Sequence, residues 1–177
     1  MSTRPTASST PPTLRVRGFS LIELLVVVVI VGVIALAVTL SVTGGAQRQV
    51  QREAERFQAL AGQACEQAEL GGREVGIVVD ATGYSFQLLG GNEWQDFPGG
   101  AELRRRVWSD GMRVALSREG RAVDVSKVPS AVPQIVCFSS GELTPFALTL
   151  ALGDAPRYRV SGSEDASLKT ERLGSTR

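Results

Sequence analysis

The chain has 177 residues, 43% of them hydrophobic, which fits one modest domain plus a membrane segment. With 19 basic and 18 acidic residues its net charge is +1, so charge alone gives no drive toward nucleic acid or an acidic partner. The absence of histidine removes the commonest general base and metal ligand, and the two cysteines, Cys65 and Cys137, form no CxxC metal or redox motif.

Residues 1–17 are rich in Ser, Thr and Pro, and Arg4, Arg15 and Arg17 are their only charges. Such a segment cannot build a core. Its charge predicts a cytoplasmic amino terminus with the rest of the chain across the membrane, although Arg48 and Arg52 beyond the apolar run pull the other way. Residues 19–42 are the expected transmembrane part of a helix, ~35 Å long at ~1.5 Å per residue. The run is too long for the h-region of a secreted signal, and its small residue, Gly18, precedes it instead of following it. One carboxylate, Glu23, interrupts it, and the next charge is Arg48. An acid in lipid costs ~2.5–3.5 kcal/mol on insertion scales, so Glu23 reads as functional.

Past Gly44-Gly45 the pattern becomes amphipathic. Val50, Ala54, Phe57, Ala61, Ala64 and Ala68 recur at spacings of three and four, opposite Arg48, Arg52, Glu55, Arg56, Gln63, Glu66 and Gln67. Residues 43–70 are therefore the second part of the same helix, and Gly71-Gly72 stops it. Thr39 to Gly45 are poor helix formers, and a hinge there is an expectation, each glycine costing ~1 kcal/mol. Residues 71–160 then read as a β-rich domain. Its expected strands are 74–80, 84–89, 93–97, 103–108, 112–117, 122–125, 134–138, 146–152 and 157–160, with a hairpin turn at Ala81-Thr82-Gly83. The helix stripe needs an apolar surface and an antiparallel sheet face supplies one, so the fold class is α+β. Residues 161–177 lose the pattern and read as a flexible tail.

The stretch Gly18-Phe19-Ser20-Leu21-Ile22-Glu23, followed by Leu24-Leu25-Val26-Val27, resembles the start of the type IV pilins and pseudopilins. The resemblance implies a leader, residues 1–18, removed by a prepilin peptidase between Gly18 and Phe19, and N-methylation of Phe19. Glu23 becomes the fifth residue of the mature chain. The amine created at Phe19 is a cation, which in lipid needs an acid, and Glu23 needs a cation. A neighbouring subunit can provide each, and breaking such a buried pair costs ~3–5 kcal/mol. The alternative is that Glu23 snorkels to the headgroups, which its short side chain opposes.

Further on, Gly72-Arg73-Glu74-Val75-Gly76, Tyr84-Ser85-Phe86, Trp94 and above all Phe138-Ser139-Ser140-Gly141-Glu142-Leu143-Thr144-Pro145-Phe146 are similar to the H-type minor pseudopilins. That similarity implies a pilin-like globular domain in the periplasm on a single-pass inner-membrane anchor. It also implies a non-enzymatic subunit near the tip of the type II secretion pseudopilus that helps to start filament assembly and so the export of folded proteins. The partners it implies are other minor and major pseudopilins, the prepilin peptidase/methyltransferase, the inner-membrane assembly platform and inner-membrane lipid. The other reading is a minor pilin of a type IV pilus, serving assembly, adhesion or DNA uptake. Arg104-Arg105-Arg106 with Trp108 is the one basic-aromatic cluster, and a near-neutral chain gives it little counterion-release drive toward nucleic acid. On a strand, Arg104 and Arg106 would share a face. Ser139 and Ser140 have no histidine base, the glycine pairs precede no phosphate-binding helix, and no calcium or other metal loop appears, so no catalytic residue, cofactor or metal is expected. Cys65 and Cys137 fit two readings: a periplasmic disulfide, or two buried small hydrophobes.

Overall fold

The structure is a computed structural model. It describes residues 20–98, 102–125 and 132–174, with the side chains of 36–43 outside the description. One helix, α1, covers Leu21–Gly71, and the chain divides into two compact units, Met1–Leu40 and Ser41–Arg177. The backbone is helical through 39–45, where the sequence predicts a hinge. Within the second unit, Val50, Ala54, Phe57, Ala61, Ala64 and Ala68 are wholly buried. Four of the six are alanines, short enough to bring the helix backbone close to the strands. α1 ends in a Schellman cap: Gly72 takes a left-handed φ of 60°, its N–H donates to Glu69 O (3.4 Å), and Arg73 N–H donates to Ala68 O (3.3 Å).

Ten strands follow among the described residues: β1 Val75–Val79, β2 Gly83–Gly90, β3 Glu93–Asp96, β4 Arg106–Val107, β5 Met112–Arg118, β6 Arg121–Val123, β7 Ile135–Cys137, β8 Phe146–Leu152, β9 Tyr158–Gly162 and β10 Leu168–Arg172. They form two antiparallel sheets. The first runs β3-β2-β1-β7 with β4 also on β2, and the second runs β10-β9-β8-β5-β6. In β8, Phe146, Leu148 and Leu150 are buried while Ala147 and Thr149 are half-exposed, the period-2 alternation of a sheet with one core face. β1 is buried along its whole length. Phe57 on α1 reaches both sheets, with its ring centroid 5.0 Å from Tyr84 of β2 and 6.1 Å from Phe146 of β8, both edge-on. Trp108 closes the cluster 4.7 Å from Tyr84.

The expected helix packed on antiparallel sheet is the observed architecture, divided between two sheets. Two readings change. The expected strand 103–108 shrinks to Arg106–Val107: residues 102–104 bend, and the Arg105 side chain pairs with Asp80 of the β1–β2 turn. The expected flexible tail 161–177 is ordered over its described part: Ser161 and Gly162 finish β9, and Leu168–Arg172 forms β10 beside it. β10 is held from α1 as well, since Gln58 Nε2 donates to Leu168 O (3.1 Å) and Thr170 Oγ1 donates to Gln58 Oε1 (2.5 Å). Its one large apolar residue, Leu168, lies against Gly62 of the helix. A strand at a sheet edge with charges at Lys169, Glu171 and Arg172 has too little apolar alternation to stand out in sequence. Residues 175–177 lie outside the described residues.

Candidate assembly segment and its anchor

The first turn of α1 is built on a cap. Ser20 Oγ accepts from Glu23 N–H (3.3 Å), and Ser20 O accepts from Glu23 N–H (3.1 Å) and Leu24 N–H (3.2 Å). Ser20 is thus the N-cap and Glu23 the third helical residue, the Ser-x-x-Glu spacing of a capping box. Helix N-termini favour negative charge, so Glu23 sits where the helix itself tolerates a carboxylate best. The sequence carried this signal in Ser20-Leu21-Ile22-Glu23, and the reading by apolar length passed over it. Gly18 and Phe19, the expected cleavage and methylation residues, lie outside the described residues.

Every described side chain from Ser20 to Ala35 is exposed, from 87% at Leu21 to 48% at Val26 among the large apolar ones, and Glu23 is the only charge among them. A contiguous apolar surface of this extent in one chain marks contact with lipid or other protein. Among the described residues no helix offers an apolar window long enough to cross a membrane. The expected span 19–42 includes Phe19 and the side chains of 36–43, which lie outside the description.

Besides the apolar stripe and the Gln58 bonds to β10, a disulfide and a buried acid tie the domain to its part of α1. Cys65 of α1 and Cys137 at the end of β7 are joined, sulfur to sulfur, with Cα atoms 4.9 Å apart. Glu53, a charge beside the apolar stripe, is buried. It accepts from Arg56 Nη2 (2.5 Å) and from Ser109 Oγ (2.9 Å), tying the helix to the segment after β4. Asp80, also buried, organises the β1–β2 turn. Its Oδ1 accepts from Thr82 N–H (2.7 Å), Thr82 Oγ1 (2.5 Å) and Gly83 N–H (2.9 Å), and its Oδ2 pairs with Arg105 at 2.9 Å. Burial alone pushes the Asp80 carboxyl up; the hydrogen bonds from Thr82 and the Arg105 guanidinium together outweigh it and hold the group below its ordinary 3.8. The same turn fixes Trp108, whose Nε1 donates to Asp80 O (3.0 Å) and whose N–H donates to Thr82 O (2.9 Å).

The arginine run does not form a shared basic face. Arg105 serves Asp80, Arg106 donates to Glu102 O (3.1 Å), and only Arg106 of the three lies in a strand. Ser139 and Ser140 sit in a tight turn after β7, where Gly141 N–H donates to Phe138 O (3.1 Å) and Ser140 Oγ donates to Glu142 Oε2 (3.2 Å). That turn brings Leu143 to bridge Cys137 across the free edge of β7. The motif is an edge cover, with the Ser140 hydroxyl taken up by Glu142 inside the turn. Among the described residues no cluster of three or more Cys, Asp or Glu could hold a metal.

Comparison with known proteins places these features. Residues 53–166 match the family described as type II transport protein GspH, and residues 13–39 match the prokaryotic N-terminal methylation motif. The chain is 35% identical to the type II secretion system protein H of Aeromonas hydrophila, over 79% of this chain and 83% of that protein. It is 36% identical to the protein of the same name from Pseudomonas aeruginosa, over 76% and 83%. Its fold is similar to the crystal structure of the minor pseudopilin EpsH from the type II secretion system of Vibrio cholerae, with a TM-score of 0.60, 22% identity, and 74% of this chain and 97% of that one covered. The solution structure of Escherichia coli GspH matches with a TM-score of 0.58, 22% identity, and 72% and 91% covered.

Proposed function

The chain belongs to the GspH family of type II transport proteins, and from that membership we propose that it joins its filament through the pairing of Glu23 with the amino terminus of an adjacent subunit. It is a minor pseudopilin of type II secretion, a structural and non-enzymatic protein anchored in the inner membrane as part of the periplasmic pseudopilus. In the proposed sequence of events the leader is cut between Gly18 and Phe19 and the new Phe19 amine is methylated. The amino terminus faces the cytoplasm, and residues 19–42 hold the subunit in the bilayer until assembly. Sibling major and minor pseudopilins, the prepilin peptidase and the assembly platform are the proposed partners, with a position near the tip that helps to start the filament.

The observation that carries this reading is the lone carboxylate on the capped first turn of a helix whose every other described side chain to Ala35 is uncharged and exposed. Lipid satisfies the apolar side chains, and a cation is the partner that matches the acid. An amine one residue before the cap of a neighbouring helix is such a cation, and the pair sets the axial register between helices. Glu23→Ala is expected to insert in the membrane and to be cut normally, yet to lose crosslinks to sibling subunits. Unchanged secretion and unchanged crosslinking by that variant would refute the pairing. A mature protein beginning at Met1 by mass analysis would refute the processing.

A further inference from the structure

We propose that Cys65 and Cys137 make this subunit a substrate of thiol oxidation in the periplasm, and that the bond is set before the domain closes and before the subunit enters the filament. The proposal rests on the periplasmic placement above, and the burial of the two sulfurs determines the order of events. Cys65 is 5% exposed and Cys137 is wholly buried. Cys65 lies beside Ala64 on the core side of α1. Cys137 is flanked on one side by Val75 of β1 and bridged on the other by Leu143. Thiol–disulfide exchange needs a thiolate to reach the sulfur of its oxidant, and thiols in apolar surroundings stay protonated and inert. No oxidant can approach either sulfur in the closed domain, so oxidation precedes closure.

The sequence separation of the pair is 72 residues, and β1 through β6 lie inside the loop it closes. β7 itself pairs with β1 over only three residues. Beyond them, at Pro133, the backbone has no N–H to give, and the Gln134 side chain substitutes by accepting from Val79 N–H (2.9 Å) and donating to Val79 O (3.1 Å). A strand this short is weakly registered, and the bond to α1 fixes it. The bond also gives α1 a second covalent connection to the first sheet, besides the Gly71-Gly72 link of the main chain. A subunit whose helix is drawn into a filament carries its domain through both.

The chemistry balances with a protein or small-molecule disulfide as oxidant. One cysteine thiolate attacks the oxidant disulfide, forming a mixed disulfide and expelling one oxidant thiolate. The second cysteine thiolate attacks the protein sulfur of the mixed disulfide and expels the other. Two electrons pass to the oxidant, which leaves as a dithiol or two thiols after taking up the two protons.

Two measurements on the full-length wild-type chain test the proposal. In cells quenched with acid, free thiols are tagged with a mass-shifting maleimide, and the pool of newly made subunits is compared with copies crosslinked into the filament. Tagged copies are expected in the new pool and at least tenfold depleted in the filament; equal tagging of both would overturn the proposal. For the second, the detergent-solubilised protein is reduced in urea, diluted to refold, and given oxidised glutathione. Oxidation is expected at least tenfold more slowly than for the same chain kept in urea; if the reduced chain does not refold while the oxidised chain does under the same dilution, closure awaits the bond. Equal oxidation rates in a refolded, reduced chain would overturn it. Glu23→Ala separates this from the pairing model, because that variant is expected to form the bond normally while failing to assemble.

Discussion

Replacing Asp80 tests whether one buried carboxylate secures the β1–β2 turn and the Trp108 segment together. Asp80→Ala removes three hydrogen bonds to Oδ1 and the Arg105 contact to Oδ2. Hydrogen bonds to a charged group contribute ~1.5–3 kcal/mol each when measured singly, and they are not additive when they share one acceptor. Thr82 is exposed, so water can replace its lost partner, whereas Gly83 is buried and its N–H cannot be rehydrated as easily. The Arg105 side chain is 41% exposed, so its ion pair adds at most ~1 kcal/mol after solvent screening. The expected loss is therefore ~2–3 kcal/mol at pH 7, with Asp80→Asn intermediate because an amide keeps one acceptor oxygen. The sign with pH follows from the depressed carboxyl. A group whose folded value lies below its ordinary 3.8 contributes stability that is complete above 3.8 and is lost as pH falls through the folded value. Urea unfolding followed by tryptophan fluorescence, at pH 7 and at stepwise lower pH, measures the difference between wild type and Asp80→Asn. It is expected to be widest at pH 7 and to close in acid. A difference that is absent at pH 7, or that stays constant down to about pH 2, would refute the reasoning.

Three further perturbations test the same geometry. Phe57→Ala empties the junction of α1 with both sheets and is expected to cost ~3–5 kcal/mol by urea unfolding; a loss under about 1 kcal/mol would mean the helix is not seated there. Gly83→Ala drives a Cβ into Arg106 O, so the β2–β4 pairing must part, at a cost of ~1–3 kcal/mol, and wild-type stability in that variant would contradict the close approach. A chain ended at Gly162 loses β10 and exposes the edge of β9. It is expected to unfold at lower urea and to resist protease less, and equal resistance would restore the view of this segment as a dispensable tail.

Patterns that repeat within a few residues were legible in the chain. The stripe from Val50 to Ala68 named the buried face of α1 residue by residue, because helical periodicity is local. Most of the strands from Val75 to Gly162 lie within two residues of their expected limits, because β-rich runs between glycines, prolines and turns are local too. The hairpin at Ala81-Thr82-Gly83 was legible for the same reason, while the partner that steadies it, Arg105, was not. Its bond to Asp80 spans a sequence separation of 25 residues and leaves no periodic trace. The burial of Glu53 was hidden for a related reason: it depends on Ser109 arriving from beyond β4.

By itself the amino-acid sequence determined the apolar helix with its single acid, the N-terminal methylation motif at its start, the amphipathic continuation and the antiparallel character of the strands beyond Gly72. These depend on composition and spacing along one segment at a time. Only the tertiary structure decided that the strands divide into two sheets, that β10 completes the second, and that Cys65 meets Cys137. Those outcomes depend on which distant segments the chain brings together, and the free energy that selects them comes from burying surfaces against each other, which no single segment contains.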